Sequence, residues 1–278
     1  AKVMAENEKQ QVVKLYQQLW SSINFIPLDW FMNDFLKNEK NLTVNQNNTF
    51  YVSPGMRFVL NVDKEAVLKN NYVDEEFKDQ IVEKMRFTIR PPSGQMMKAQ
   101  IIQLEIIANN NWERDIHFAN SGGAESYVGM EPYLMLEGLS YKLTPIKVER
   151  AKNPYVRGGI NKIKMYDNLM NKFVWGGMDK DVYMNETNMR MTYNLRNNFA
   201  RLADALLKEG KVDSAVHVMD KCISVMPDKT IPYNFFMTPI AECYFRAAQY
   251  QKATAMMQKA KADTAEANNE AANLEEEN

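Results

Sequence analysis

The sequence predicts an α+β N-terminal region followed by an all-α region of tetratricopeptide-like helical hairpins. Three observations carry that expectation. Short alternating runs such as "MRFVLNV" and "RFTIR" mix with helical spacings up to about residue 150. From Arg190 the strand signal disappears and apolar residues recur three and four apart. Within that last part, Phe199, Leu202, Ala203, Leu206, Ala215, Met219, Cys222 and Pro227 match the tetratricopeptide spacing, and Met237, Ile240, Ala241, Tyr244, Ala253, Met257 and Ala260 repeat it. Ala215 and Ala253 lie 38 residues apart. Against a period of about 34, the second unit therefore carries extra residues in "DKTIPYNFF". The organisation read from this is an α+β region over 1–150, a connector over 151–189, helical hairpins over 190–262 and an acidic tail over 263–278, frayed or disordered.

Each element has a local reason. Gln10–Asn24 spaces Val12, Val13, Leu15, Tyr16, Leu19, Trp20 and Ile23 as a helix. Pro27 interrupts it, Asp29 is placed to cap, and Trp30–Leu36 restart a shorter helix. Polar "NEKNLTVNQNN" reads as loop. "TFYVS" and "MRFVLNV" read as strands around a Pro54-Gly55 turn, with Phe58, Leu60 and Val62 on one face. Asp63 caps a helical turn in "DKEAVLKNN", and Asp74 opens an amphipathic helix in "DEEFKDQIVEKM". "RFTIR" is a strand stopped by Pro91-Pro92. A helix opened by Ser93 follows, with Met97, Ile101, Leu104 and Ile107 or Ala108 as its buried stripe. Asn109–Asn111 fall where it must end, because Asn tolerates the left-handed conformation that stops helices. "DIHFAN" and "SYKLTPIKV" read as strands, Gly122–Tyr141 as loop and short helix, and Trp175-Gly176-Gly177 as a turn. Gly210 is the residue that closes the first repeat helix. Two repeat units are too few for a free solenoid, so they must dock on the preceding region or on another chain.

Composition narrows the function classes. Among 278 residues, 34 Lys plus Arg nearly cancel 35 Asp plus Glu, so no overall field draws nucleic acid or anionic lipid. No run reaches the ~18 apolar residues of a membrane span, and "AKVMAENEKQ" lacks the apolar stretch of a signal peptide. Taken alone, these features read as a soluble, cytoplasmic chain; a start without Met is what a fragment or a processed piece would show, and does not decide between a fragment and a complete protein. Cys222 and Cys243 read as buried free thiols. Neither they nor His117 and His217 make a metal set, and no phosphate-binding loop, nucleophile elbow or cofactor motif occurs. The expectation is no catalytic residue, no metal and no cofactor.

Two segments stand out as binding candidates. The first is Asn109, Asn110, Asn111, Trp112, Glu113 and Arg114, where amides beside an aromatic ring and a charged pair have the groups to hydrogen-bond and stack on a sugar. The structural account of the same residues is a turn, with Trp112 in the core beneath it. The second is Asn194, Asn197, Asn198 and Arg201, which would line a groove on the repeat's first helix and pair with peptide backbone. Their structural account is a solvated helix face. An enzyme would instead need two carboxylates across a cleft, and Glu105, Glu113, Asp115 and Glu131 are the clustered candidates, with Glu105 in an apolar run where burial would raise its pKa. A purely structural or assembly role through the helical units is the third alternative.

The runs "VDKEAVLKN" (Val62–Asn70), "ANNNWER" (Ala108–Arg114), "YDNLMNKFVWGGM" (Tyr166–Met178), "NLRNNFARLA" (Asn194–Ala203) and "VMPD…PYNFFMTPIAE" (Val225–Glu242) together resemble the C-terminal part of domain-of-unknown-function family 2723. This is a family of multi-spanning membrane proteins of Bacteroidetes, related to a human protein O-mannosyltransferase. The resemblance covers roughly Val62–Ala260. Asp115 and His117 stand where the family carries Pro and Tyr, so it assigns no chemical role to that strand. It implies a parent glycosyltransferase of the lipid-linked-sugar type whose active site lies in a membrane domain outside this chain. These residues would then be its extracytoplasmic tail on the periplasmic side of a bacterial membrane. The implied partners are acceptor protein or peptide, a glycan, and that membrane domain.

Overall fold

The computed structural model describes residues 25–38, 42–45, 48–51, 53, 55–91, 94–149, 156–180 and 182–276. The helix expected over Gln10–Asn24, and Ser93 as a helix opener, lie outside the described residues. The chain forms two compact units: Ala1–Phe118 with Gly122–Met135 and Lys142–Gly159, and Ala119–Ser121 with Leu136–Tyr141 and Ile160–Asn278. Among the described residues, no helix is long and apolar enough to cross a membrane.

In the first unit, Ile26–Pro27 (β1) runs parallel to Arg57–Asn61 (β4), which pairs antiparallel with Lys84–Thr88 (β5) in the order β1-β4-β5. Pro27 is thus a strand residue, and a helix begins directly after it. Leu28–Trp30 (α1) continues as a π-helical turn over Phe31–Phe35, with Asp29 inside the first turn and not at the cap. Phe58 and Leu60 are buried as the alternation predicts, along with Met85 and Phe87. The Phe58 ring lies 5.0 Å from Phe31 and 5.8 Å from Phe87, so an aromatic stack pins the sheet to the helix. Burying each such ring contributes about 1.5–3 kcal/mol.

The polar run expected as loop contains a strand, Leu42–Asn45 (β2), which pairs antiparallel with Asn48–Tyr51 (β3), where "TFYVS" reads as strand. The Asp63 Oδ1 accepts from the Ala66 N–H at 3.0 Å and caps Lys64–Lys69 (α2) as predicted. The amphipathic helix expected from Asp74 is replaced by a 3-10 turn over Glu75–Gln80, none of it buried. The chain then extends, with Ile81 bridging to Ile146. The next helix is Lys98–Asn109 (α3), opened at Met97, whose N–H donates to Gln100 Oε1. Its buried residues are Gln100, Leu104 and Ile107, while Met97 is exposed.

His117–Ala119 (β6), Leu134–Leu136 (β7), Ser140–Leu143 (β8) and Gly159–Ile160 (β9) form a four-stranded sheet in the order β6-β8-β7-β9. Strand β7 falls in a segment read as loop and short helix, and β9 in the expected connector. Gly129 has φ +80, and a Cβ there would sit 2.4 Å from the Thr88 carbonyl oxygen, so only glycine allows this approach.

The second unit is largely helical. Lys162–Asp167 (α4) passes into a π-helical turn over Asn168–Lys172. The first repeat helix, Glu186–Lys208 (α5), starts earlier than the expected Arg190, capped by the Asn185 side chain. Gly210 ends it at φ +74 and Val212–Val225 (α6) returns. Thr238–Arg246 (α7) and Tyr250–Glu276 (α8) form the second hairpin. Most repeat positions are buried, and Ala203 and Ala215, both fully buried, let α5 and α6 approach closely. The exceptions are Pro227, half-buried, and Met257, 42% exposed, where Met256 takes the core position. The acidic tail is helical through Glu276 and continues α8.

Candidate functional site

The asparagine triplet builds a turn. Asn109 Nδ2 donates to the Glu105 carbonyl at 3.0 Å, closing the last turn of α3. Asn110 Nδ2 reaches forward to the Arg114 carbonyl at 2.9 Å. Asn111 takes the left-handed conformation at φ 50, and Trp112 follows at φ 60. Two consecutive left-handed residues reverse the chain and drive the indole inward.

Trp112 is only 7% exposed and meets the Tyr72 ring edge-on at 5.1 Å, so its face is not open to a sugar. Its carbonyl accepts from Asn70 Nδ2, and the Tyr72 hydroxyl accepts from the Ile116 N–H. Lys142 lies over the Tyr72 ring at 4.6 Å and pairs with Asp115 at 2.7 Å. The cavity that Asn110, Asn111 and Trp112 line holds about 150 Å³. That is well below the ~300 Å³ at which ligand pockets begin. The site expected from sequence is therefore a braced corner here, with Glu113 and Arg114 exposed beside it. Glu105, expected to be buried, keeps 43% of its side chain exposed, 4.0 Å from Lys37.

The second candidate segment splits in two. Asn194 and Asn197 are exposed on α5. Asn198 and Arg201, expected on the same groove, are buried. Asn198 Nδ2 donates to the Gly138 carbonyl at 2.8 Å, and Arg201 donates to the Tyr141 hydroxyl while lying over that ring. Both positions hold Leu136–Tyr141 against the helix.

Between them stands a residue that sequence reasoning missed. Arg196 is fully buried. Its guanidinium donates to the carbonyls of Met226 at 2.9 Å, Ile231 at 2.5 Å and Pro232 at 3.2 Å, and it lies 5.2 Å from the Tyr233 ring centre. Burial pulls its pKa below the ordinary arginine value, and neighbouring Cys222 and Tyr233 partly offset this. Arg196 thus clamps the insertion between the two repeat units. Asp228 adds to the clamp by accepting from the Tyr233 N–H and pairing with Lys259 at 3.0 Å.

The clamped segment ends in an aromatic pair. Asn234 Oδ1 accepts from the Phe236 N–H and starts a 3-10 turn over Phe235–Met237. Phe236 stacks on Tyr193 of α5 at 5.2 Å with rings 9° from parallel, and Phe235 meets Phe236 edge-on. Phe235 is 80% exposed and Phe236 47%. Asn197 lies four positions after Tyr193 and three after Asn194, so its amide neighbours both on the helix surface and the ring platform adjoins two exposed amide side chains. Among the described residues, no group of three His, Cys, Asp or Glu stands close enough to hold a metal ion.

Fold and site together define a two-part chain, an α+β unit and a helical-hairpin unit with an exposed aromatic–amide surface. Residues 2–164, more than half of the sequence, match the model of the family described as TMEM260-associated domain 2, and the chain belongs to that family. No curated protein and no solved structure matches it. The family match stops before the helical hairpins, which lie outside it.

Proposed function

We propose that this chain is a non-catalytic recognition module, the extracytoplasmic C-terminal part of a membrane protein glycosyltransferase, and that it positions acceptor polypeptide. The observation that carries the reading is the Tyr193–Phe235–Phe236 platform beside exposed Asn194 and Asn197. Two phenylalanines this exposed on a segment clamped by a buried arginine form a pre-ordered apolar anchor, and the amides offer donors and acceptors to an extended backbone. The resemblance of five long runs to the membrane glycosyltransferase family supplies the context, with the periplasmic face as its location. Acceptor chemistry for O-glycosylation calls for accessible Ser or Thr hydroxyls.

The test is titration of the isotope-labelled chain with unstructured Ser/Thr-rich peptides. Amide shifts are expected at Tyr193–Asn197 and Phe235–Met237, with binding lost in the Phe235→Ala/Phe236→Ala double variant. Binding that survives both this variant and Asn194→Ala/Asn197→Ala would overturn the proposal.

A further inference from the structure

The outward face of the β1-β4-β5 sheet is basic in a chain of net charge −1. The Ile89 N–H donates to Met56 and the Val62 N–H to Glu83, which makes Arg57–Thr88 a non-hydrogen-bonded pair with close side chains. Phe58, Leu60, Met85, Phe87 and Ile89 point into the core. The other parity therefore places Arg57, Lys84, Arg86, Thr88 and Arg90 on the open face. Arg90 stays extended because Pro91 follows it. Arg57 sits opposite Thr88, roughly 5 Å away between Cβ atoms, and Arg86 and Arg90 flank Thr88 about 7 Å along the strand. Among the described residues, no carboxylate pairs with Arg57, Arg86 or Arg90.

Of this cluster, Arg86, Thr88 and Arg90 line a cavity of about 590 Å³, whose wall runs along Arg86–Arg90 and returns through Gly129, Pro132, Val148 and Gly158. That volume suits an organic molecule and is far too large for a lone inorganic anion. Glu125, Glu131 and Glu149 also line it. They would repel a polyanion such as nucleic acid or an acidic peptide, and they would accept hydrogen bonds from hydroxyl groups.

We infer that this cleft binds a small organic phosphate, its phosphate held by Arg86, Arg90 and the Thr88 hydroxyl and its hydroxyl-bearing body lying toward the glutamates. Forked guanidiniums around a hydroxyl match the geometry of a phosphate group. The site is independent of the aromatic platform on the helical unit.

The test titrates the full labelled chain with glycerol 3-phosphate, inorganic phosphate and glycerol. Glycerol 3-phosphate should shift the amides of Arg86–Arg90, Gly129 and Gly158 saturably, inorganic phosphate more weakly, and glycerol not at all. Arg86→Gln/Arg90→Gln, both exposed, should weaken binding about a hundredfold or more, the loss of two charge-assisted contacts, at unchanged melting temperature. Phosphatidylglycerol vesicles that retain the wild type but not this variant would assign the phosphate to a lipid headgroup; a response to glycerol 3-phosphate without vesicle retention would assign it to a soluble ligand. The inference fails if glycerol 3-phosphate gives no saturable shift at these amides, or if the variant binds it as well as the wild type.

Discussion

Replacing Arg196 with methionine should cost the helical unit about 3–5 kcal/mol, the scale for removing one side of a buried charged contact. Methionine keeps much of the volume, so the loss falls on the polar groups. Three hydrogen bonds from a charged donor disappear, and the carbonyls of Met226, Ile231 and Pro232 lose that donor. Each such contact is worth roughly 1.5–3 kcal/mol, and its loss strands an acceptor that costs about 1–3 kcal/mol if it stays dry. Relief of the guanidinium's own burial cost offsets part of this sum. At about 2–4 °C per kcal/mol for a unit of this size, the melting temperature should fall by roughly 6–20 °C. Urea unfolding followed by far-ultraviolet circular dichroism measures the change directly. Arg196→Lys should fall between the two, because an ammonium cannot reach three divergent carbonyls as a planar fork does. Amide exchange across Met226–Met237 should accelerate in Arg196→Met. A methionine variant within about 1 kcal/mol of the wild type, with exchange unchanged, would refute the clamp.

Three further outcomes follow from the same structure. Asn111→Gly should leave stability nearly unchanged, whereas Asn111→Val should cost about 1–2 kcal/mol by thermal melting, because only the β-branched residue resists φ 50. Cys222 and Cys243, whose thiols burial pushes up to about 12, should resist a thiol reagent in the native chain and react in urea; labelling of the folded protein would contradict their burial. For Asp204, burial opposes ionisation, but hydrogen bonds from Arg246 and Lys208 outweigh it and hold the carboxyl below its ordinary value. A depressed folded pKa gives stability that is full above the unfolded value near ~3.9 and is lost as pH falls through the lower folded value. Melting temperature against pH should therefore drop less steeply below about pH 4 in Asp204→Asn than in the wild type, and parallel curves would sink the claim.

What the sequence could and could not reveal divides along one physical line. Elements whose cause is local were legible: the Asp63 cap, the Asn111 reversal, the alternation of Phe58 and Leu60, the Gly210 stop and the small residues between α5 and α6. Errors arose where one spacing serves two structures. Ile81 and Met85 are four apart, which fits a helical stripe, but four is also a multiple of two, and the chain uses it as extended structure. Met256 and Met257 both fit a helix beside Ala253 and Ala260, and only packing chose the former.

The candidate site shows the same limit more sharply. Asn194, Asn197, Asn198 and Arg201 share one helical stripe, so local pattern grades them alike. A segment 60 residues upstream separates them, because Gly138 and Tyr141 take Asn198 and Arg201 as partners and leave Asn194 and Asn197 open. Arg196 was hidden for the opposite reason. It occupies the stripe of Phe199 and Ala203, where a charge looks like an error, and its partners are backbone carbonyls with no side-chain signature. The signal was present all the same: a charged residue on an apolar stripe requires partners, and the only unexplained length in the repeat is the insertion that Arg196 holds. That insertion carries Phe235 and Phe236, so the residue that most violates the helical pattern is also the one that fixes the exposed aromatic surface.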